Sequence, residues 1–278
     1  METSTAKEEG DYVLGHSQRE LERLHLQAHL VDPITRQYLT EAGIGPGMRV
    51  LDVGSGAGDV SFLAAALVGS SGEVVGVDRS ATAVASATAR AAALSLSHVT
   101  FRAADPATLA DERPFDALIG RYVLVFQPDP VGWLRKLAGL VRRPGGIVLF
   151  HEPDRDYMHS FPAAPAYDRL CRWLTETYHR HGADLRMGIK LYSAFLDAGL
   201  PAPTMRSQAT IAGGTHAAAV LHLELDQVVT LAAEMARLGV ATAAEIGLDT
   251  LAERATREIV TNGSVIVGRA EIGAWARL

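Results

Sequence analysis

Apolar positions along this chain switch between two spacings. At Arg49-Val50-Leu51-Asp52-Val53 they form a short, nearly continuous run, the mark of a strand buried on both faces. Over residues 59–68 and 81–94 they recur at helical intervals instead. Strands are predicted at 73–77, 99–102, 115–119 and 146–150, and a further helix at 130–141. Such alternation predicts right-handed βαβ units and a parallel sheet with helices on both faces.

On either side of this core the pattern is mainly helical. Ser17-Gln18-Arg19-Glu20 reads as a capping box, and Leu21, Leu24, Ala28 and Val31 follow at helical spacing until Asp32-Pro33 interrupts. A second short helix is expected over 33–41, so that residues 1–42 make an N-terminal helical cap. Beyond the fifth strand, helices are expected at 162–181 and 191–198, a sixth strand at 204–211, helices at 217–238 and 241–259, and a last strand at 264–276. The expectation is an α/β, Rossmann-like domain over 43–278. Helical insertions, at about 153–200 and 215–262, would follow its strands 5 and 6.

Composition narrows the function classes. Hydrophobic residues make up 48% of the 278 and charged residues 21%, a globular balance that leaves little room for long disorder. The net charge of -6 is spread along the chain without a basic stripe, so nucleic acid is not expected as a partner. Cys171 is the only cysteine, which excludes an internal disulfide and a cysteine zinc site and fits a reducing, cytoplasmic setting. No apolar run of membrane-spanning length follows the polar start, so membrane anchoring is not expected either. Asn262-Gly263-Ser264 reads as a turn into the last strand.

The strongest motif is Leu51-Asp52-Val53-Gly54-Ser55-Gly56-Ala57-Gly58-Asp59, a strand entering a tight glycine loop and then a helix. Glycines allow positive φ there and let a ligand lie against the backbone, although a bare turn would need them too. The spacing Gly54-x-Gly56-x-Gly58 departs from the dinucleotide pattern, and Asp52 would repel a diphosphate while suiting a cationic ligand. Asp78, at the end of the second strand in Val77-Asp78-Arg79-Ser80, stands where a carboxylate accepts ribose hydroxyls.

These pieces resemble the class I S-adenosylmethionine-dependent methyltransferases, in particular the UbiE-like, type 11 small-molecule group. The resemblance runs from about Arg49 to Glu152. It rests on the loop just described, Val75-Gly76-Val77-Asp78, Ala104-Asp105, Pro114-Phe115-Asp116 and Arg143-Pro144-Gly145-Gly146. It implies a seven-stranded, mostly parallel sheet whose last strand runs antiparallel, with 264–276 as the candidate. It further implies S-adenosylmethionine as cofactor and S-adenosylhomocysteine as product. Asp52, Gly54, Ser55, Gly56 and Gly58 would hold the methionine end, Asp78 the ribose, and Asp105 or its neighbours, Ala104 among them, the adenine; Arg79 would also bind the cofactor, and Arg121 would border the methionine moiety. Tyr12 and Gln18 would close over the cofactor as a lid, unless Tyr12 simply staples the cap to the core. Pro106, where the family often has alanine, removes one backbone donor beside the adenine.

Methyl transfer is an in-line displacement that alignment and desolvation can drive without a dedicated base. If a base is used, His151 is the best-placed candidate, since it follows the fifth strand at the carboxyl edge where open α/β sheets bind ligands. Glu152 shares that edge and would orient the histidine or bind the acceptor; for both the alternative is a structural role. Trp173, Tyr157, Tyr178 and Phe161 would form an aromatic wall for an apolar acceptor, or else pack in the core, and Tyr192 and His216 share that ambiguity. His25 and His29, and His179-x-His181, have ligand spacing but no third ligand, so no metal is expected. Glu152-x-Asp154-x-Asp156 reads as a polar loop.

The reading is a small-molecule methyltransferase acting on a quinone, polyketide, terpenoid or aromatic metabolite. A non-transfer reaction such as cyclisation on the same cofactor is the alternative, ahead of a nicotinamide-dependent oxidoreductase or a cofactor-binding scaffold. The helices between 217 and 259 would cover the site or support a homo-oligomer.

Overall fold

The computed structural model describes residues 18–110 and 113–278, with residues 18–29 as backbone only. Tyr12 and the side chains of Gln18, His25 and His29 therefore lie outside the described residues. The chain runs α1 (Gln18–Ala42), β1 (Arg49–Val53), α2 (Asp59–Val68), β2 (Glu73–Asp78), α3 (Ala81–Ala93), β3 (Val99–Ala103), β4 (Ala117–Arg121), α4 (Pro130–Ala138) and β5 (Ile147–Asp154). It continues through β6 (His159–Phe161), α5 (Pro165–Arg180), α6 (Met187–Asp197), β7 (Thr204–Gly213), α7 (Ala218–Arg237), α8 (Ala243–Ile246), α9 (Leu248–Thr261) and β8 (Val265–Arg277).

Strands β3, β2, β1, β4 and β5 lie side by side in that order, all parallel. The last strand, β8, pairs antiparallel with β5 on one side and with β7 on the other. The antiparallel final strand that the family resemblance implied is thus present. The sheet has eight strands rather than seven, because β6 pairs with the start of β8 just beyond the end of β5.

Three expectations change in detail. The two cap helices are one: α1 continues through Pro33, which lies on the exposed side of the helix. Val31, Ile34, Tyr38 and Leu39 meanwhile anchor the inner side of the helix. The helix expected over 241–259 is broken into α8 and α9 at Gly247, where φ is +55°. Strand β5 runs on through His151, Glu152, Pro153 and Asp154, paired with β8 along its whole length.

Every residue of β1 is buried, and its side chains alternate between the two faces of the sheet. Val50 joins Ile34, Tyr38, Leu39, Ile119, Leu149 and Trp275 under α1 and α2. Leu51 and Val53 join Leu118, Phe150, Leu134, Leu170 and Phe195 beneath α4, α5 and α6. Each large side chain buried this way contributes about 1.5–3 kcal/mol before entropy is counted. Among the described residues no helix is long and apolar enough to cross a membrane.

Charge is also buried. Arg155 Nη2 meets Glu224 Oε2 at 2.5 Å, Arg269 Nη1 lies 3.9 Å from Glu224 Oε1, and Arg269 Nε donates to Glu271 Oε1 at 2.8 Å. Two guanidiniums and two carboxylates balance, joining the end of β5, α7 and β8. Removing one member would leave its partner charged and dry. We therefore expect Glu224→Gln to lower the unfolding free energy by about 3–5 kcal/mol in chemical denaturation. A loss under about 1 kcal/mol would mean that Arg155 and Arg269 do not depend on that carboxylate.

Candidate active site

The loop from β1 to α2 turns as its glycines require. Gly54, Gly56 and Gly58 have φ of +66°, +52° and +92°. A Cβ on Gly54 would lie 2.6 Å from Val123 Cγ2, so the loop after β4 rests directly on the glycine loop. At Gly56 a Cβ would meet nothing, which leaves that part of the backbone open to a ligand. Arg90 braces the loop from α3, donating to the Ala57 carbonyl at 2.6 Å and pairing with Asp59 at 2.8 Å.

Carboxylates surround this loop. Asp52 is buried at the end of β1, and its Oδ2 accepts from Ser61 Oγ at 2.5 Å. Burial pushes Asp52 up to about 7, against the opposing effects of Ser61 and Arg121. Asp78 accepts from Gly56 N and Ser80 N, both at 2.8 Å, and so ties the glycine loop to the start of α3. Ala104 N donates to the Asp78 carbonyl at 2.9 Å. Asp105 caps the short turn Pro106–Thr108 through Ala107 N at 2.9 Å and pairs with Arg79 at 3.0 Å.

The residues predicted to hold the cofactor thus converge on one edge, with Tyr12 and the Gln18 side chain outside the described residues. A cationic nucleoside fits this edge on three observations. Asp52 has a second oxygen without a hydrogen bond, Ser55 Oγ is buried without a partner, both among the described residues, and the backbone at Gly56 is uncovered. The first two are polar needs that a ligand would meet, and the third leaves it room, the Gly56 amide itself being taken by Asp78.

The carboxyl ends of β4 and β5 form a second polar layer. Tyr122 has φ of +57°, a conformation that costs a bulky residue about 1–3 kcal/mol and needs support. Glu152 supplies it by accepting the successive amides of Val123, Leu124 and Val125 at 2.9, 2.8 and 3.3 Å. Burial drives Glu152 up to about 8 despite those amides. Tyr122 donates its hydroxyl to Glu271 Oε2 at 2.6 Å. Burial raises Glu271 too, but Arg269, His151 and Tyr122 outweigh it and hold the carboxyl at about 2.

His151 is not an open base at the sheet edge. It is wholly buried, with Nε2 2.9 Å from Glu271 Oε2 and Nδ1 3.1 Å from Thr35 Oγ1 of α1. Burial lowers its pKa below the usual histidine value, so the ring is neutral. An ionised Glu271 then requires the proton on Nε2, which leaves Nδ1 an acceptor facing the Thr35 hydroxyl, whose one proton also has the Val31 carbonyl within reach at 3.1 Å. Thr35 in turn accepts from Arg121 Nη1 at 3.0 Å, and the same nitrogen donates to Asp32 Oδ1 at 2.7 Å.

The predicted aromatic wall does not assemble. Tyr178 is buried and donates to Gln227 of α7 at 3.0 Å, whereas Tyr157 and Phe161 are exposed, 53% and 78%, on the surface. Tyr192 and His216 are exposed as well, and His181 pairs with Glu234 at 2.6 Å. Within the loop that begins at Glu152, Asp154 accepts from Asp156 N and Asp156 pairs with Arg186, so these carboxylates do not converge.

Asp32, Thr35, Tyr122, Arg269 and Glu271 were not singled out from the sequence. Arg269-x-Glu271 carried a partial signal, since two charges at alternate positions of a strand share one face, although spacing alone does not say that the face is buried. Asp32 was masked by its neighbour, because Asp32-Pro33 reads as a helix break.

A family model described as a methyltransferase domain matches residues 44–187, just over half of the chain. Aklanonic acid methyltransferase DauC from Streptomyces sp. (strain C5) is 30% identical over 154 residues, covering 55% of this chain and 69% of that one. Nocamycin O-methyltransferase from Saccharothrix syringae is 37% identical over 120 residues, covering 42% of each chain. Among solved structures, a putative methyltransferase from Bacillus halodurans C-125 aligns with a TM-score of 0.57 and 16% identity over 87% of this chain and 97% of that one, a likeness of fold. The extent of the family match and the alignment with DauC show that this chain belongs to the methyltransferase domain family, as an enzyme that uses S-adenosylmethionine.

Proposed function

We propose that the protein methylates a small molecule of the polyketide, quinone, terpenoid or aromatic type, with the donor held at the edge formed by β1, β2 and β4. The observation that carries the donor assignment is the pair of polar groups there without partners among the described residues, Ser55 Oγ and one oxygen of Asp52, beside an uncovered glycine backbone. Asp52 would take the ammonium of the methionine end, Asp78 and Arg79 the ribose, and Ala104 with Asp105 the adenine. S-adenosylmethionine supplies a methyl group on a sulfonium centre, ready for in-line displacement.

The chain's own contribution is placement. Glu152 fixes the three amides after Tyr122, and Val123, the first of them, lies against Gly54, so the loop after β4 is tied to the glycine loop. His151 holds Thr35 and Glu271 in register across β5, β8 and α1. We read both as positioning residues, with alignment and exclusion of water supplying the rate. Support for a small acceptor comes from aklanonic acid and nocamycin, named for two relatives, and from the scattered negative charge of the chain.

To test this, the protein is incubated with S-adenosylmethionine labelled in the methyl group, together with aklanonic acid, a naphthoquinol, a DNA duplex and a protein lysate in separate reactions. Label extracted into organic solvent is the expected result. Label recovered only with the DNA or protein would overturn the small-molecule reading.

Asp52 gives a pH signature. Its carboxyl titrates near 7 in the free protein, so a cationic ligand must displace a proton below that pH. Affinity for S-adenosylhomocysteine should fall about tenfold per pH unit below 7 in calorimetric titration, and the slope should vanish in Asp52→Asn. The sign for stability is opposite. Folding raises this pKa, so the folded state takes up a proton that the unfolded chain does not, and Asp52 disfavours folding less as pH falls from 7 towards the ordinary carboxylate range. An affinity flat from pH 5.5 to 8, to within about twofold, would remove Asp52 from the ammonium site.

A further inference from the structure

Helix α6 is apolar on two sides. Met187, Gly188, Leu191, Ala194 and Phe195 are buried towards the sheet, where a Cβ on Gly188 would lie 2.8 Å from the Glu152 carbonyl oxygen. Ile189, Tyr192 and Leu196 recur at i, i+3 and i+7 on another side of the helix and are 46%, 47% and 44% exposed. Tyr157, also exposed, lies by the amino end of α6, since its neighbour Asp156 pairs with Arg186 just before the helix. A stripe of large apolar side chains on a helix that already has a core face marks an interaction surface.

The charges on α6 say what fits there. Lys190 stands near its amino end and Asp197 in its last turn, so both oppose the helix dipole, which favours an anion at the amino end and a cation at the carboxyl end. Within the chain Lys190 is answered by Asp184 at 2.5 Å, on the exposed surface. Arg135 of α4 donates to the Asp197 carbonyl at 2.5 Å, but the Asp197 carboxylate has no partner among the described residues. An antiparallel copy of the same helix corrects the mismatch, because its amino end brings a lysine to the carboxyl end that lacks one.

The register is self-consistent. A two-fold axis between Tyr192 and Ser193 sets Ile189 against the partner's Leu196 and Tyr192 against the partner's Tyr192. Lys190 and Asp197 lie on one flank of the stripe, and the axis brings Lys190 within two residues, about 3 Å of rise, of the partner's Asp197. On α9, by contrast, the exposed Leu248 and Val260 stand about three turns apart, and Glu253 and Arg257 between them already pair with each other.

We propose that α6 is the contact of a homodimer, with two copies of this chain packed antiparallel across that axis, the apolar stripe at the centre and two Lys190–Asp197 pairs at the rim. The proposal places self-association on α6 rather than on the helices between 217 and 259. One face of an 11-residue helix is smaller than the about 800 Å² per partner of a standard interface, so the dissociation constant is expected at about 10–100 µM.

The test is sedimentation velocity of the full chain from about 5 to 300 µM, with circular dichroism to show that each variant is folded. The wild-type chain should pass from monomer to dimer over that range, and Ile189→Asp or Leu196→Asp, both at exposed positions, should hold it monomeric. Lys190→Asp and Asp197→Lys should each weaken association about tenfold, since each sets like charges together twice in its own dimer. Mixed in equal amounts, those two variants should associate as tightly as the wild type, because the mixed dimer has opposite charges at both rims. A wild-type chain that stays monomeric would overturn the proposal and leave the stripe to a different partner. Association untouched by Ile189→Asp and Leu196→Asp, or a mixture no tighter than its separate components, would overturn it as well.

Discussion

Glu271 carries a negative charge where water does not reach, and a charge in that position persists only while donors surround it. Arg269 supplies one from the same strand, Tyr122 one from the loop after β4, and His151 one from β5. The backbone carbonyl of the same residue accepts from Tyr38 of α1 at 2.8 Å. Four separate segments therefore meet at one residue of the last strand. Each contact has a directional requirement that apolar packing lacks, so the relative placement of β4, β5, β8 and α1 is set more narrowly than a core of leucines and valines would set it. The glycine loop inherits that placement, because Val123, next to Tyr122, lies against Gly54.

Set against this satisfied network, the neighbouring edge is left unsatisfied. Asp52 is as deeply buried as Glu271 but has a single hydrogen bond among the described residues, and the two carboxyls end at opposite extremes, about 7 and about 2. Burial acts on both. What differs is compensation: Arg269 stands directly on Glu271, whereas Asp52 has Ser61 and a more distant Arg121. A buried carboxyl left short of donors is a cost to the folded chain, and it is offset when a cation arrives. The same reasoning applies to Ser55 Oγ, which has no partner among the described residues. Single unpartnered polar atoms also occur elsewhere, at His98, Trp133, Arg254 and Ser264 for example, but here Ser55 and Asp52 fall short together beside an open glycine backbone, and that clustering is what supports reading the edge as a binding site.

Much of the frame was legible in the sequence, and the reason is local. Residues 59–68 read as a helix and are one, because a glycine loop before it and Gly69 after it leave a helical apolar pattern nowhere else to extend. The parallel strands were visible as short apolar runs, and Asp52 and Asp78 stood out as carboxylates at strand ends. What could not be read locally was the meeting of distant charges. Arg155 and Glu224 are 69 positions apart and Tyr122 and Glu271 149, and nothing in either neighbourhood announces the other. Pro33 misled for a related reason: its effect on a helix depends on whether its turn faces solvent or core, and only the packed structure decides that.

His151 shows how an edge position and an accessible position come apart. The end of β5 is the correct place for a ligand-facing residue in an open parallel sheet, and β5 pairs there as expected, with Arg121 opposite His151. On the other side His151 pairs with Gly273 of β8, and a Cβ at Gly273 would lie 2.5 Å from the Tyr38 ring. The glycine lets α1 settle directly onto the sheet at this row. Tyr38 then stacks edge-on against the imidazole at 5.1 Å, and Thr35 closes over Nδ1. Along the row Gly54, Arg121, His151, Gly273, the cap helix covers the half nearer β8 and leaves the half nearer β1 with unmet polar groups. The boundary between them is Arg121, held by α1 through Nη1.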